Sequence, residues 1–387
     1  MSLGRVGLTQ VTDALASLRA HGIRAAARKL KRFYLHSHER VYLTRGDLDA
    51  ASRQPFGQRG LEVRLARSDD VSRFAAFPDL SPHTVRAWLA PDHYVVLALK
   101  DGVPAGYRCL SARVPPSLAP ALHLTPDEVF SDILFVSPSL RRQGVNHELR
   151  AATGHLLRPL GFRRTWGCQS PFNHVIHEVT IRSTAGVSEY VGTLTRRSLL
   201  GRVRFSFAPT TPLSAARVAG AIHVLTAVLG RVRRVTLLAN RVSVTAAPDS
   251  LESIGAQLGA DIRVIAVTER HHQTEAFRGA FDRIAGDRPD AVIVLCDPMF
   301  LEHRRTLTHL AAAHRLPAVY EGAAFAAAGG LLACGEPTPG LSTLPDSLRR
   351  VVGAADPARL VVNLPTARRL NLSVPPTVLE RADRILG

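Results

Sequence analysis

Apolar residues recur along this chain with two periods, and the switches between them mark its elements. Val11, Leu15, Leu18, Ile23 and Leu30 repeat at helical spacing between basic residues, which predicts an amphipathic helix near the start. From Leu61 the pattern shortens. "LEVRLA" reads as a strand, "SDDVSRFAAF" as a helix, and "YVVLALKDGVPAGYRCLSARV" as two strands joined by a tight turn at Lys100-Asp101-Gly102. "EVFSDILFV" is a further strand. After it, Val145, Leu149, Ala152 and Leu156 define a helix that Pro159 ends.

A second change falls at "FSFAPTTPLSAA", residues 205–216, where Pro and Thr break the periodicity and suggest a linker. Beyond it, apolar strands alternate with amphipathic helices: "RRVTLLAN", "IRVIAV", "AVIVLCDP", "PAVY" and "GGLLACG" stand between helical stretches. That alternation is the pattern of a parallel sheet covered on both faces. A chain of 387 residues exceeds what one core usually serves, so two folded units are expected. The boundaries predicted are a basic helical segment at 1–60, a mixed α/β unit at 61–207, a linker at 208–216 and a doubly wound parallel α/β lobe at 217–387.

Composition narrows the function classes. With 46% hydrophobic and 21% charged residues the chain reads as globular throughout. Its net charge of +17 invites a nucleic-acid partner, but lysine stands only at Lys29, Lys31 and Lys100, and the arginines are spread over the whole length rather than gathered in a stripe. Nucleic acid is therefore not expected; the spread reads mainly as the codon bias of a GC-rich genome, with attraction of an anionic ligand such as a coenzyme, or of a membrane surface, as the alternative. The basic first helix offers a surface for peripheral contact with anionic lipid, with packing against the protein itself as the alternative. Cys109, Cys168, Cys296 and Cys334 are isolated from one another and from histidines at ligand spacing, so neither a metal site nor a disulfide framework is expected. These features, with no signal-like apolar run at the start, point to a cytoplasmic location.

The candidate chemistry centres on the strand "EVFSDILFVSP" and the turn after it. Simple alternation puts Glu128, Phe130, Asp132, Leu134 and Val136 on one face, with two carboxylates among them. The first turn of the following helix carries backbone N–H groups without helical partners, and Gly144 lets an anion approach them.

"FVSPSLRRQGVNHELRAATGHLLRPLGF" resembles the coenzyme A motif of the GNAT acetyltransferase superfamily: Gln or Arg, two residues, Gly, one residue, then Gly or Ala. Arg141 takes the first position and Gly144 the central one; Asn146 replaces the small last residue. The resemblance implies that Arg141, Arg142, Gln143, Gly144, Val145 and Asn146 hold the coenzyme diphosphate. It also implies that the backbone of Phe135 and Val136 pairs with the pantetheine arm, and that Asn173 belongs to the coenzyme site. Acetyl-CoA or another acyl-CoA is then the cofactor, and a small-molecule amine the acceptor. Glu128 or Asp132 is the candidate base. The family's acid tyrosine has no counterpart, leaving Ser183, His174 and His177 as the nearby polar groups; both histidines also read as ordinary surface or core residues.

The second half, through "DPMFLEHRRTLTHLAAAHRLPAVYEGAAFAAAGGLLACG" and "LVVNLPTARRLNLSVPPTVLERADRIL", resembles the carboxy-terminal portion of ABC transporter substrate-binding proteins, of the kind that includes presumed tryptophan or tyrosine binders. That likeness implies a flavodoxin-like lobe whose partner lobe is missing, and a shortened stretch between Gly335 and Leu360. Asn240, Asp297 and Tyr320 fall at strand ends, where such sheets place their ligands. The combined expectation is an acyl-CoA-dependent N-acyltransferase carrying a one-lobed sensing or docking domain. The alternative is a non-catalytic sensor of an amino-acid-like molecule.

Overall fold

A computed structural model describes residues 36–57, 60–77, 80–183, 187–199, 202–209, 215–244, 248–335, 344–352 and 359–387. The predicted helix at the start lies outside these residues. The remainder of the segment expected to be helical, residues 36–60, begins instead with a long strand, β1 (His36–Asp47), and a one-turn helix, Leu48–Ser52, capped by the Asp47 side chain. It is followed by β2 (Leu61–Leu65), β3 (His93–Lys100), β4 (Val103–Ser111), β5 (Glu128–Val136), β6 (Arg164–Gln169), β7 (Ser188–Leu199) and β8 (Arg202–Pro209).

These eight strands form one sheet in the order β2-β3-β4-β5-β6-β1-β7-β8. The hairpin expected at Asp101-Gly102 joins β3 to β4, and both residues have positive φ, 53° and 76°, as a two-residue reversal demands. All neighbours run antiparallel except β5 and β6, which are parallel. β1 lies between β6 and β7, in the middle of the sheet. The acyltransferase-like unit therefore begins near His36 rather than at residue 61. Two helices, Val145–Leu157 and His174–Ser183, follow β5 and β6. The first packs Val145, Leu149 and Ala152 on Val96, Ala98, Ala105 and Leu110. Its Gly154 meets the Leu48–Ser52 turn so closely that an added Cβ would stand 2.5 Å from the Ser52 nitrogen.

The second sheet contains β9 (Arg234–Asn240), β10 (Asp261–Val267), β11 (Ala291–Val294), β12 (Ala318–Glu321), β13 (Leu332–Cys334), β14 (Leu360–Asn363) and β15 (Arg384–Leu386). Its order is β10-β9-β11-β12-β13-β14-β15, parallel except between β13 and β14. The first five strands thus follow the 2-1-3-4-5 arrangement of doubly wound folds, with its switch point between β9 and β11. The sequence expectation of a parallel α/β lobe holds. Helices cover both faces, and two apolar clusters, one around Leu225, Leu237 and Ile293 and one around Phe277, Phe281 and Phe300, sit on either side.

Two boundaries differ from the sequence reading because each depends on contacts distant in the chain. Residues 205–209, expected as linker, belong to β8, where Phe207 is fully buried beneath Gly192; residues 210–214 lie outside the described set. The segment between Gly335 and Leu360, expected as a shortened return to a missing lobe, crosses to the first sheet instead. There Leu344, Leu348, Val351 and Val352 join Leu43, Phe130, Trp166, Leu194 and Phe207 in one core. Phe207 donates its N–H to Val351 at 2.6 Å, and His123 donates to the Ser347 hydroxyl at 3.3 Å. Leu348 is fully buried, so Leu348→Ala is expected to cost about 2–5 kcal/mol, read as a lower urea midpoint. A shift confined to the second lobe's own fluorescence or exchange signals would refute this shared core.

Candidate functional site

The first sheet parts at its centre. β5 pairs with β6 only from Glu128 to Ser131, opposite Arg164 to Gly167. Beyond Ser131 no β6 residue is in register, so the β6-facing edge of Asp132–Val136 has no strand beside it. β4 still holds the other edge, pairing Gly106 with Val136 and Tyr107 with Phe135. The result is a slot between two parallel strands, with backbone groups of β5 open along one wall.

At the outer end of the slot the chain turns. Pro138–Leu140 makes one 3-10 turn, Arg142 and Gly144 both adopt left-handed backbone (φ 61° and 84°), and Gly144 is the residue from which the Val145 helix starts. No side chain caps that helix. Among the described residues, none accepts a hydrogen bond from the N–H groups of Arg142 through His147; Glu148 is the first to bond back, to the Gly144 carbonyl at 3.1 Å. Six consecutive amides therefore surround the turn at the positive end of a thirteen-residue helix. Asn146, the residue that departs from the motif, turns its side chain along the helix, where its Oδ1 accepts from Arg150 Nε at 3.2 Å. It thus leaves the turn clear. Gln143 donates to the Ser139 carbonyl at 3.0 Å, and the Arg141 side chain folds toward the Val136 carbonyl. A diphosphate fits this set: open donors, a close-approach glycine and a left-handed arginine held in a rarely used conformation. Val145 itself is core, and contributes through its N–H.

The two candidate bases separate. Between Cys109–Ile133 and Leu110–Ser131 the β4–β5 register slips by one, so Asp132 is the extra residue of a β-bulge. Side chains beyond it switch faces. Val129, Leu134 and Val136 share the core beneath the Val145 helix, whereas Phe135 packs with Tyr107 and Phe77 on the opposite side. The expectation that Glu128, Asp132, Leu134 and Val136 lie on one face is therefore wrong, and the bulge is the reason. Glu128 is 4% exposed at the strand's start, where it accepts from the Thr125 N–H at 3.0 Å and pairs with Arg164 at 3.2 Å. It closes a turn and is not a base at the slot.

Asp132 stands where β5 and β6 part. Its side chain is exposed, yet partial desolvation raises its pKa above the ordinary value, while nearby His93 draws it back. The thiols of Cys109 and Cys168 are close enough to feel its charge, and burial followed by that charge pushes both upward, keeping them neutral.

The remaining expected residues have other duties. Asn173 caps the following helix, accepting from the Ile176 N–H at 3.3 Å, and is not drawn into the turn at Gly144. His177 is almost fully buried against the rings of Tyr42 and Tyr190, and burial lowers its pKa, so it is neutral. Ser183 ends the His174 helix, and its side chain lies outside the described residues.

In the second lobe, Asn240 and Asp297 do meet at the switch point between β9 and β11. Asn240 Nδ2 donates to Asp297 Oδ2 at 3.0 Å and to the hydroxyl of Tyr42, on β1 of the first sheet, also at 3.0 Å. Arg40, two residues earlier, pairs with Glu269 and with Glu302 at 2.8 Å. Glu178 pairs with Arg241 at 3.0 Å, and Phe172 stacks on His271 with ring centres 4.4 Å apart. Side chains of the first unit thus reach the switch point where the lobe was expected to bind a ligand, and open cavities remain beside them, lined by Arg40, Phe172, Glu269 and His271. Tyr320 is 1% exposed, stacked on Phe325 and backed by Gly330, and does not join Asn240 and Asp297.

Sequence reasoning overlooked Arg108, Arg150 and Tyr42. A charged residue inside the buried strand "VPAGYRCLS" was the available signal for Arg108. Among the described residues, no group of three or more acids, cysteines or histidines could hold a metal, and no helix is long and apolar enough to cross a membrane.

This parted sheet, with its amide-lined turn, defines a domain of the class that moves acyl groups from coenzyme A to amines. Residues 63–179 match the acetyltransferase (GNAT) family, and that segment is a domain of this kind. No curated protein matches the chain. Among solved structures the chain is similar to an ABC domain in complex with L-Trp from Streptococcus pneumonia, at 16% identity, covering 43% of this chain and 60% of that one, with a TM-score of 0.34. It is also similar to AAC(6')-Iy in complex with a bisubstrate analog, at 23% identity over 31% of this chain and 86% of that one, TM-score 0.26. An aminoglycoside acetyltransferase from an uncultured soil metagenomic sample, in complex with sisomicin, is similar at 15% identity over 34% and 92%, TM-score 0.28. The chain spans about 60% of the length of the first of these.

Proposed function

We propose that the protein is an acyl-CoA-dependent N-acyltransferase whose second lobe is a docking domain for the first. The observation that carries the reading is the row of six amides, Arg142 to His147, that no described protein atom accepts, at the mouth of a slot between parted strands. In this reading those amides hold the diphosphate, and the open edge of Asp132–Val136 holds the pantetheine arm. Acyl-CoA supplies an activated thioester at the slot. Asp132 takes the proton of the amine acceptor, made a better base by its partly enclosed position. In this reading the amine itself is the nucleophile.

The second lobe's part follows from Tyr42. With its hydroxyl on Asn240 at the switch point, and Arg40 on Glu269, the lobe grips the first sheet where related lobes would grip a ligand. This favours docking over sensing, and a transferase over a free-standing sensor.

Titration calorimetry of the purified protein with coenzyme A and acetyl-CoA tests the reading. Micromolar or tighter binding is expected, with one site per chain. Heat indistinguishable from dilution for both compounds would remove the transferase and leave the sensor reading in its place.

A further inference from the structure

Arg108 lies in the middle of β4, on the face toward the Val145 helix: its strand neighbour Leu110 packs there, and a Cβ on Gly106 would meet Leu149 at 3.3 Å. Its guanidinium donates through Nε to the Ser131 hydroxyl at 3.1 Å and through Nη1 to the Thr153 hydroxyl at 3.2 Å. Both partners are neutral. Nine-tenths of the residue is buried, yet no carboxylate among the described residues pairs with it. Arg150, on the same helix as Thr153, is close enough to oppose its charge and has no acidic partner among the described residues, where it donates to the Asn146 amide oxygen. Burial first, and the Arg150 charge second, hold the Arg108 guanidinium down to about 9. Two cations enclosed with only neutral acceptors are costly unless an anion joins them.

The position of the pair says which anion. Ser131 is the last β5 residue to pair with β6, opposite Gly167. Arg108 therefore lies under the inner end of the slot, and the amide-lined turn lies at the outer end. Thr153 is eight helical residues beyond Val145, about 12 Å at 1.5 Å each. Ser131 precedes Val136 by five strand residues, about 16 Å. A diphosphate held by the Arg142–His147 amides is too distant to neutralise Arg108. What reaches the inner end of the slot is the acyl end of the donor.

We propose that the donor's acyl chain ends in a carboxylate, a dicarboxylic acyl thioester of coenzyme A, and that Arg108 and Arg150 bind that carboxylate between Ser131 and Thr153. The inference rests on the acyltransferase reading and names its donor.

Calorimetric titration of the full chain with coenzyme A, acetyl-CoA and succinyl-CoA tests it, on wild type, Arg108→Gln and Arg150→Gln. Wild type is expected to bind succinyl-CoA at least about tenfold more tightly than acetyl-CoA, the gain typical of a charge-assisted pair. Either glutamine variant is expected to bring that ratio close to one while acetyl-CoA affinity changes less than about threefold. Equal wild-type affinities for the two esters overturn the proposal even should a variant fail to fold. Retention of the full preference in both folded variants overturns it as well. Loss of binding for all three compounds in wild type overturns the acyltransferase reading, and this inference with it; binding of coenzyme A without the succinyl preference overturns this inference alone.

Discussion

Gly144→Asp is expected to weaken coenzyme A binding by at least about a hundredfold while leaving the melting midpoint within a few degrees of wild type. Two effects act together at φ 84°. An aspartate there strains the backbone by about 1–2 kcal/mol, and its carboxylate stands among the amides meant for a diphosphate. Gly144 has no burial to lose, since the turn is at the surface, so stability is little affected. Calorimetry against coenzyme A checks affinity, and a thermal melt checks the fold. Wild-type affinity in the variant would mean that the six open amides are not where the coenzyme sits.

Asp132→Asn should lower turnover by about 10²–10⁴-fold with little change in coenzyme affinity, the loss expected when a general base becomes an amide of the same shape. The pH profile separates this role from a structural one. The carboxyl pKa is raised, so the wild-type rate climbs with pH through that raised value, above the ordinary aspartate range, as the base becomes deprotonated. The asparagine variant lacks that limb. Thiol release from acyl-CoA, followed with an amine found by screening primary amines, provides the readout. A variant within threefold of wild type, with the same acidic limb, would take the base assignment away from Asp132.

The elements that sequence pattern predicted are those whose determinants are local. Asp101-Gly102 specifies its own hairpin, Pro138 and Gly144 punctuate the turn before the Val145 helix, and most of the second half's strands read as apolar runs because helices cover both faces of that sheet. What escaped was set by partners far along the chain. Nothing within residues 36–47 reveals that β1 will lie between β6 and β7, and nothing around Leu348 reveals that it will bury itself under Phe207. The bulge at Asp132 left no mark either, since one unpaired residue changes no composition; it nevertheless broke the alternation that put two carboxylates on one face. Arg108 had a visible signal, a cation amid apolar strand residues, but in a chain so rich in arginine it did not stand out. Asn240 and Asp297 were placed correctly at strand ends, and their partner, Tyr42, was not foreseeable from a lobe considered alone.

The crossing of residues 344–352 also orders events during synthesis. The first sheet cannot close its hydrophobic interior until Leu344 and Leu348 have emerged, well after its own last strand, β8. Strands β9 to β13 must therefore leave the ribosome before that interior is sealed. Severing the chain between the halves, or exchanging one half for another, would leave an open greasy flank on the first sheet.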